Sequence, residues 1–199
     1  MVITRAKLKD GRTVLIREFQ REDKEKLVEM YASLSDEAVR WGMPPYTSEV
    51  IERWISNVQD LIILVALYNG KIVGHAHIHK FPRPRRKGTS DLIIYLHQDF
   101  HSVGLGSAML SKLIELATNE GMHRIGLTVV ADNKQAINLY KKFGFKIEGI
   151  KKEHYKTKAK HGISKEEIPG RNRIFVDEHI YEDIAEGDNL STRPVAYFQ

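Results

Sequence analysis

"LIIYLHQDFHSVGLGSAMLSKLIELA", residues 92–117, carries an apolar run, a Gly-x-Gly turn and then apolar residues at helical spacing. A strand that hands over to a helix through glycines leaves the first helical amides without intrahelical partners and without bulky side chains to cover them. The helix dipole makes such a mouth attractive to anions. Two stricter phosphate templates fail on spelling: the chain has no Gly-x4-Gly-Lys-Ser/Thr string, and Met109 stands where a dinucleotide fingerprint needs its third glycine. What remains is "HSVGLGSA", in which Gly104 and Gly106 serve either an anion such as a diphosphate or simply a tight turn.

Working outward, "RTVLIREF" (12–19) alternates as a strand, and "LIILVALY" (61–68) is apolar enough to be buried on both faces. Asn69-Gly70 then signals a type I′ hairpin into "KIVGHAHIHKF" (71–81). "GTSDLIIYLH" (88–97), "HRIGLTVV" (123–130), "FKIEGIKKEHY" (145–155) and "RIFVDEHIYEDI" (173–184) read as further strands. Helices are expected over 21–34, 48–58 (stripe Ile51, Trp54, Ile55, Val58), 104–120 and 133–143, the last closed by Gly144. The order predicts an α/β fold with a mixed, mostly antiparallel central sheet of about six to seven strands flanked by about four helices. Residues 1–184 are expected to form a single domain, with a polar insertion at 156–172 between the last two strands and a loose tail at 185–199.

Composition narrows the class of function. The chain of 199 residues is 42% hydrophobic and 29% charged, as a soluble globular protein is. No apolar run is long enough to span a bilayer, and "MVITRAKLKDGR" lacks the apolar core of a signal peptide, so a cytoplasmic protein with no membrane partner is expected. Zero cysteines exclude a thiolate metal site and a cysteine nucleophile. The net charge of +5 gathers in "RPRRK" (83–87) and "KKEHYKTKAK" (151–160), either as solvated loops or as a lure for phosphates. His75, His77 and His79 alternate onto one strand face. Their spacing of nearly 7 Å stretches a metal site and no acid joins them in the string, so no metal is assigned and the histidines are read as groove lining or surface.

"ADNKQAINLYKKFGF" (131–145) places Asn133 and Tyr140 seven apart, almost two helical turns, with the small Ala136 between them. Alone, that is an ordinary capped helix with a tyrosine in the core. Together with the Gly-x-Gly turn it resembles the GNAT superfamily of acyl-CoA-dependent N-acetyltransferases. The two family motifs are Arg/Gln-x-x-Gly-x-Gly/Ala and Asn-x6-Tyr followed by Gly-Phe; here they stand as His101-x-x-Gly104-Leu-Gly106 and Asn133-x6-Tyr140 with Gly144-Phe145. The resemblance covers roughly residues 12–182, and the amino-terminal stretch looks like the branch of protein lysine acetyltransferases. His101 departs from the usual Arg or Gln.

The resemblance implies acetyl-CoA as donor and a primary amine as acceptor, most often a protein lysine or amino terminus, attacking directly in a ternary complex. It implies that Ile94, Tyr95 and Leu96 pair with the pantetheine arm through their backbone, and that a bulge near Leu96 offers an N–H to the thioester oxygen where negative charge grows. The amides of Ser102, Val103, Gly104, Leu105, Gly106 and Ser107 would hold the diphosphate, and Asn133 the cofactor arm. Tyr140 would protonate the leaving thiolate. Thr128 stands where ribosomal-protein acetyltransferases of the family often carry a glutamate, five residues before the Asn; the lysine acetyltransferase branch tends to carry an acid early in the fourth strand, a resemblance that implies Asp91 as the base, with Glu153 in reserve. Baring a lysine amine at pH 7 costs about 4–5 kcal/mol, an α-amine only about 1 kcal/mol, so the latter could manage with a water chain. His77, Glu153 and Tyr155 are acceptor-groove candidates. The alternatives are a small-molecule amine acceptor of the polyamine or aminoglycoside kind, or a non-catalytic CoA sensor or nucleic-acid-binding module. Nucleic acid is disfavoured because the basic clusters hold a single aromatic, Tyr155. A homodimer is compatible with the acetyltransferase reading.

Overall fold

The computed structural model describes residues 3–56, 58–155 and 171–179. Eight strands form one sheet in the order β1-β2-β3-β4-β5-β6-β8-β7: β1 Ile3–Lys7, β2 Thr13–Glu18, β3 Leu61–Tyr68, β4 Lys71–Lys80, β5 Thr89–Leu96, β6 Arg124–Val130, β7 Lys146–Tyr155 and β8 Arg171–His179. Five helices flank it: α1 Lys24–Ala32, α2 Asp36–Val39, α3 Ser48–Ile55, α4 Leu105–Asn119 and α5 Lys134–Lys142. The mixed, mostly antiparallel α/β sheet is as expected. The extra strand is β1, whose residues "ITRAK" alternate between exposed and half-buried. As an edge strand with no buried face it gives no apolar periodicity to read.

The 21–34 helix is shorter than its pattern. Residues 21–23 form a 3-10 turn, and Asp23 accepts the Arg17 guanidinium at 2.6 and 2.7 Å, tying the turn to β2. α3 stops at Ile55, and Val58 falls in a 3-10 turn beyond it. The Asn69-Gly70 hairpin forms with φ of 50° and 77°, the positive pair a type I′ turn needs. β8 begins at Arg171, before the expected strand start; residues 156–170 and everything after 179 lie outside the described residues, and with them the rest of the insertion and the tail.

Two apolar clusters pack on opposite sheet faces. Leu105, Met109, Leu110, Leu113 and Ala117 of α4 are buried against Leu64, Ala66, Ala76 and Ile78, with Ile137, Tyr140 and Phe145 beside them. Each fully buried leucine contributes about 2–3 kcal/mol, so the α4 face is firmly seated and its first turn is held in place. On the other face Leu27, Met30 and Tyr31 of α1 and Ile51 of α3 cover Val65 and Ile72.

The feature that positions a site lies between β5 and β6, the parallel neighbours. Their ladder holds only at Thr89↔Arg124, Ser90↔Ile125 and Asp91↔Gly126, although the strands run on to Leu96 and Val130. Beyond Asp91 they part into a wedge. On its far side β6 stays paired with β8, and β5 stays paired with β4 in unbroken register from Lys80↔Ser90 to Gly74↔Leu96. β5 itself carries no inserted residue near Leu96; the register shift nearby, at Ala66/Leu67, leaves Val73 of β4 as the extra residue, beside the Gly74 that pairs with Leu96. Backbone groups on β5 are opened by the departure of β6 instead of by an inserted residue.

Candidate functional site

Gly104 caps α4 with φ 97°, a conformation that costs a residue with a Cβ, and Ser102 is left-handed at φ 60°. The first bond of the helix runs from the Ala108 amide to the Gly104 carbonyl at 3.1 Å. The amides of Leu105, Gly106 and Ser107 precede it and have no intrahelical partner. No acid stands in that first turn. A methyl group on Gly106 would lie 3.1 Å from Leu139 Cδ2 and 3.3 Å from Leu96 Cδ1. Gly106 is thus the point where the start of α4, the end of β5 and the helix carrying Tyr140 meet. The residues fit a diphosphate-bearing cofactor: donors without partners, no countercharge, and backbone that can be approached closely.

Two neighbours of this mouth have roles that motif reading did not find. The Lys9 amide donates to the Val103 carbonyl at 2.9 Å, and a methyl on Gly104 would stand 3.8 Å from Lys9 Cγ, so a lysine stem runs alongside the helix start. Nothing local in "LKDG" marks this, because the hairpin reaches the loop only through the fold. His101, standing where the family motif has Arg or Gln, turns one ring nitrogen toward β5. Its Nε2–H donates to the Leu96 carbonyl at 3.0 Å and braces the end of β5 against the glycine loop. Gln135 of α5 closes the same corner, donating to Ser102 Oγ at 2.6 Å.

Asn133 caps α5: its side-chain oxygen accepts the Ala136 amide at 3.1 Å, which leaves its NH2 as the donor. Tyr140 is buried against Phe145, ring centroids 5.7 Å apart, and burial pushes its phenol well above the ordinary value. Among the described residues its hydroxyl makes no hydrogen bond.

Ile94 and Leu96 face the α4 side of the wedge, while Asp91, Ile93 and Tyr95 face the other. Asp91 sits at the apex, pairing across with Gly126; a Cβ on that glycine would be in ordinary contact with Asp91 Oδ1 at 3.4 Å. The side chain keeps contact with solvent, yet surrounding atoms desolvate it and raise its pKa, with the charges of Arg86, His79 and Arg124 pulling it down. Leu96 lies five residues further along β5, about 16 Å, so a proton released there reaches Asp91 only through more than one water.

The three histidines share the Asp91 face but not one environment. His79 is exposed and pairs across from Asp91; His77, across from Ile93, is 7% exposed; His75, across from Tyr95, is fully buried. His75 is therefore core and not groove lining. Its Nδ1 meets the Tyr31 hydroxyl at 2.9 Å within a cluster of Tyr31, Tyr46, Trp54 and Tyr95. Among the described residues no group of three or more ligating side chains could hold a metal. Glu153 and Tyr155 belong to β7, but their side chains lie outside the described residues.

The sequence and the fold are shared with known proteins. Residues 27–145 match the Acetyltransferase (GNAT) family. The chain belongs to the GNAT family of acetyltransferases. It is similar to the L-amino acid N-acetyltransferase AaaT of Escherichia coli, 31% identical over 142 residues, which cover 71% of this chain and 88% of that protein. The crystal structure of a GNAT-family acetyltransferase from Streptococcus pneumoniae superposes with a TM-score of 0.72 at 29% identity, covering 84% of this chain and 99% of that one. The protein yncA of Salmonella typhimurium, solved with its cofactor acetyl-CoA, shares the fold with a TM-score of 0.67 at 22% identity, over 86% of this chain and 96% of that one. The enzyme is thus an N-acetyltransferase, and among its described residues no helix is long and apolar enough to cross a membrane.

Proposed function

We propose that this acetyltransferase moves the acetyl group of acetyl-CoA to the α-amine of a compact acceptor of the amino-acid class, by direct attack within a ternary complex. The observation that carries the donor half is the unpartnered α4 mouth packed at Gly106 against Leu96. Acetyl-CoA supplies an activated acyl group and a good leaving thiol. The amides of residues 102–107 hold its diphosphate, with Lys9 adding a cation at the rim. The wedge-facing backbone of Ile94–Leu96 holds the pantetheine arm, and the Asn133 NH2 donates to it. Tyr140, kept protonated by burial, gives its proton to the departing sulfur; the same burial raises the basicity of a thiolate beside it, so the two stay matched.

The acceptor half rests on the AaaT likeness and on the cost of deprotonation. An amine attacking far from Asp91 must shed its proton largely unaided, which counts against a lysine at about 4–5 kcal/mol and suits a protein amino terminus at about 1 kcal/mol; a free amino acid, whose carboxylate makes its α-amine more basic than that terminus, lies between the two, and the AaaT likeness is what favours it. A protein amino terminus, also expected from the sequence, is the second acceptor that this cost allows. His77 lines the approach, and Asp91 takes the proton through water.

Acetyl-CoA is expected to raise the unfolding temperature, since a ligand selective for the folded state at about 100 times its Kd adds about 2.7 kcal/mol. Scanning calorimetry reads this, and no shift with acetyl-CoA or CoA would reject the site. Lys9→Ala is expected to raise the Kd for acetyl-CoA by roughly three- to tenfold and flatten its salt dependence. An unchanged Kd in a salt titration removes Lys9 from the site.

A further inference from the structure

The segment Arg40–Tyr46 crosses the open end of the wedge and is fastened to both arms. On the β6 side the Trp41 indole N–H donates to Asp132 Oδ1 at 2.8 Å, and Arg40 reaches Asp132 Oδ2 at 3.5 Å. Asp132 lies just past the end of β6 and directly before Asn133. Arg40 also pairs with Glu37 at 2.6 Å and its guanidinium stacks 4.8 Å over the Trp41 ring, so the indole is held in place from behind. On the β5 side the Tyr46 hydroxyl donates to that of Tyr95 at 3.1 Å and accepts the Met43 amide at 2.8 Å. The backbone at Gly42 lies flat on these phenols: a methyl there would be 3.1 Å from Tyr95 Cε1 and would overlap the Tyr46 hydroxyl outright. Tyr95 is one residue from Leu96 and faces away from α4, so the segment covers the wedge on the side opposite the diphosphate mouth, where an acceptor must approach.

We propose that the Trp41–Asp132 bond is a specificity-determining roof: it ties the 40–46 segment over the wedge so that a compact amine reaches the reacting carbon and an amine borne on a longer backbone does not. This rests on the acetyltransferase reading with a compact acceptor. The exposed Arg40 pairs add little, because surface ion pairs are weak; the indole bond to a carboxylate, backed by the stacked ring, is the fastening that counts.

The test compares kcat/KM for a free L-amino acid with that for a tripeptide beginning with the same residue. Wild type is expected to prefer the free amino acid. In Asp132→Ala and in Trp41→Phe, which keeps the ring but loses the donor, the tripeptide-to-amino-acid ratio is expected to rise at least about tenfold. Asp132→Asn keeps an acceptor for the indole and is expected to restore the ratio to within about twofold of wild type. KM for acetyl-CoA should move less than the acceptor terms. Melting temperatures identify folded variants, and Trp41→Phe carries the test if Asp132→Ala fails to fold. An unmoved ratio in folded variants that still acetylate the amino acid overturns the roof and leaves the acceptor reading standing. A wild type that acetylates the tripeptide at least as well, or neither acceptor, overturns both.

Discussion

Tyr140→Phe is expected to lower kcat by a factor of about 10²–10⁴, the usual worth of a positioned proton donor, while the affinity for acetyl-CoA stays within about twofold. The structure makes this substitution unusually clean. The Tyr140 ring packs on Phe145, and a phenylalanine keeps that contact. The hydroxyl has no hydrogen-bond partner among the described residues, so its removal leaves no orphaned group in the protein, and a stability change within about 1 kcal/mol is expected. Burial holds the phenol protonated far above neutral pH, so wild type carries the donor form throughout the working range. Single-turnover kinetics beside calorimetric binding separates the two effects. If binding is lost and the chemical step is not slowed, the hydroxyl holds the cofactor and is not the acid; if neither changes, another group protonates the sulfur.

The parts of this enzyme that could be read from its letters are those fixed by local physics. Asn69-Gly70 demands two positive φ values and obtains them. Asn133 caps α5 where its side chain predicts, and the apolar run of β3 is buried on both sides. What stayed hidden was set by distant segments meeting. β1 has no buried face to give it a period. The wedge depends on where β6 stops pairing with β5, a register property that neither strand encodes alone. His75, His77 and His79 share one alternation in sequence, yet α1 covers the first with Tyr31 and leaves the last in water. The roof joins residues 91 apart in the chain, Trp41 and Asp132, and no spacing rule reaches so far.

The two covered histidines give the second large effect. Burial depresses His77 to about 4 and holds His75 well below its ordinary value, with the charge of the next histidine in line adding to each. In the unfolded chain both titrate near about 6.5. Below that value the unfolded state binds protons that the folded state refuses, so stability is level above about pH 6.5 and falls as the pH drops toward 4. His77 alone accounts for roughly 3 kcal/mol across that window, and it is covered enough for solvent screening to matter little. Around the pair, burial keeps the Tyr31 phenol protonated, and the charge of His79 adds to the depression of His77. Asp91 works the other way, because its raised carboxyl takes up a proton first in the folded state. Urea unfolding at stepped pH is expected to show a downward slope that His77→Gln flattens by about one proton's worth, about 1.4 kcal/mol per pH unit at its steepest. A slope that the substitution leaves unchanged would mean that His77 is hydrated or already paired in solution, and the acid loss would then belong to the paired carboxylates such as Asp23, which Arg17 and the Gln20 amide hold below the ordinary value against the pull of burial.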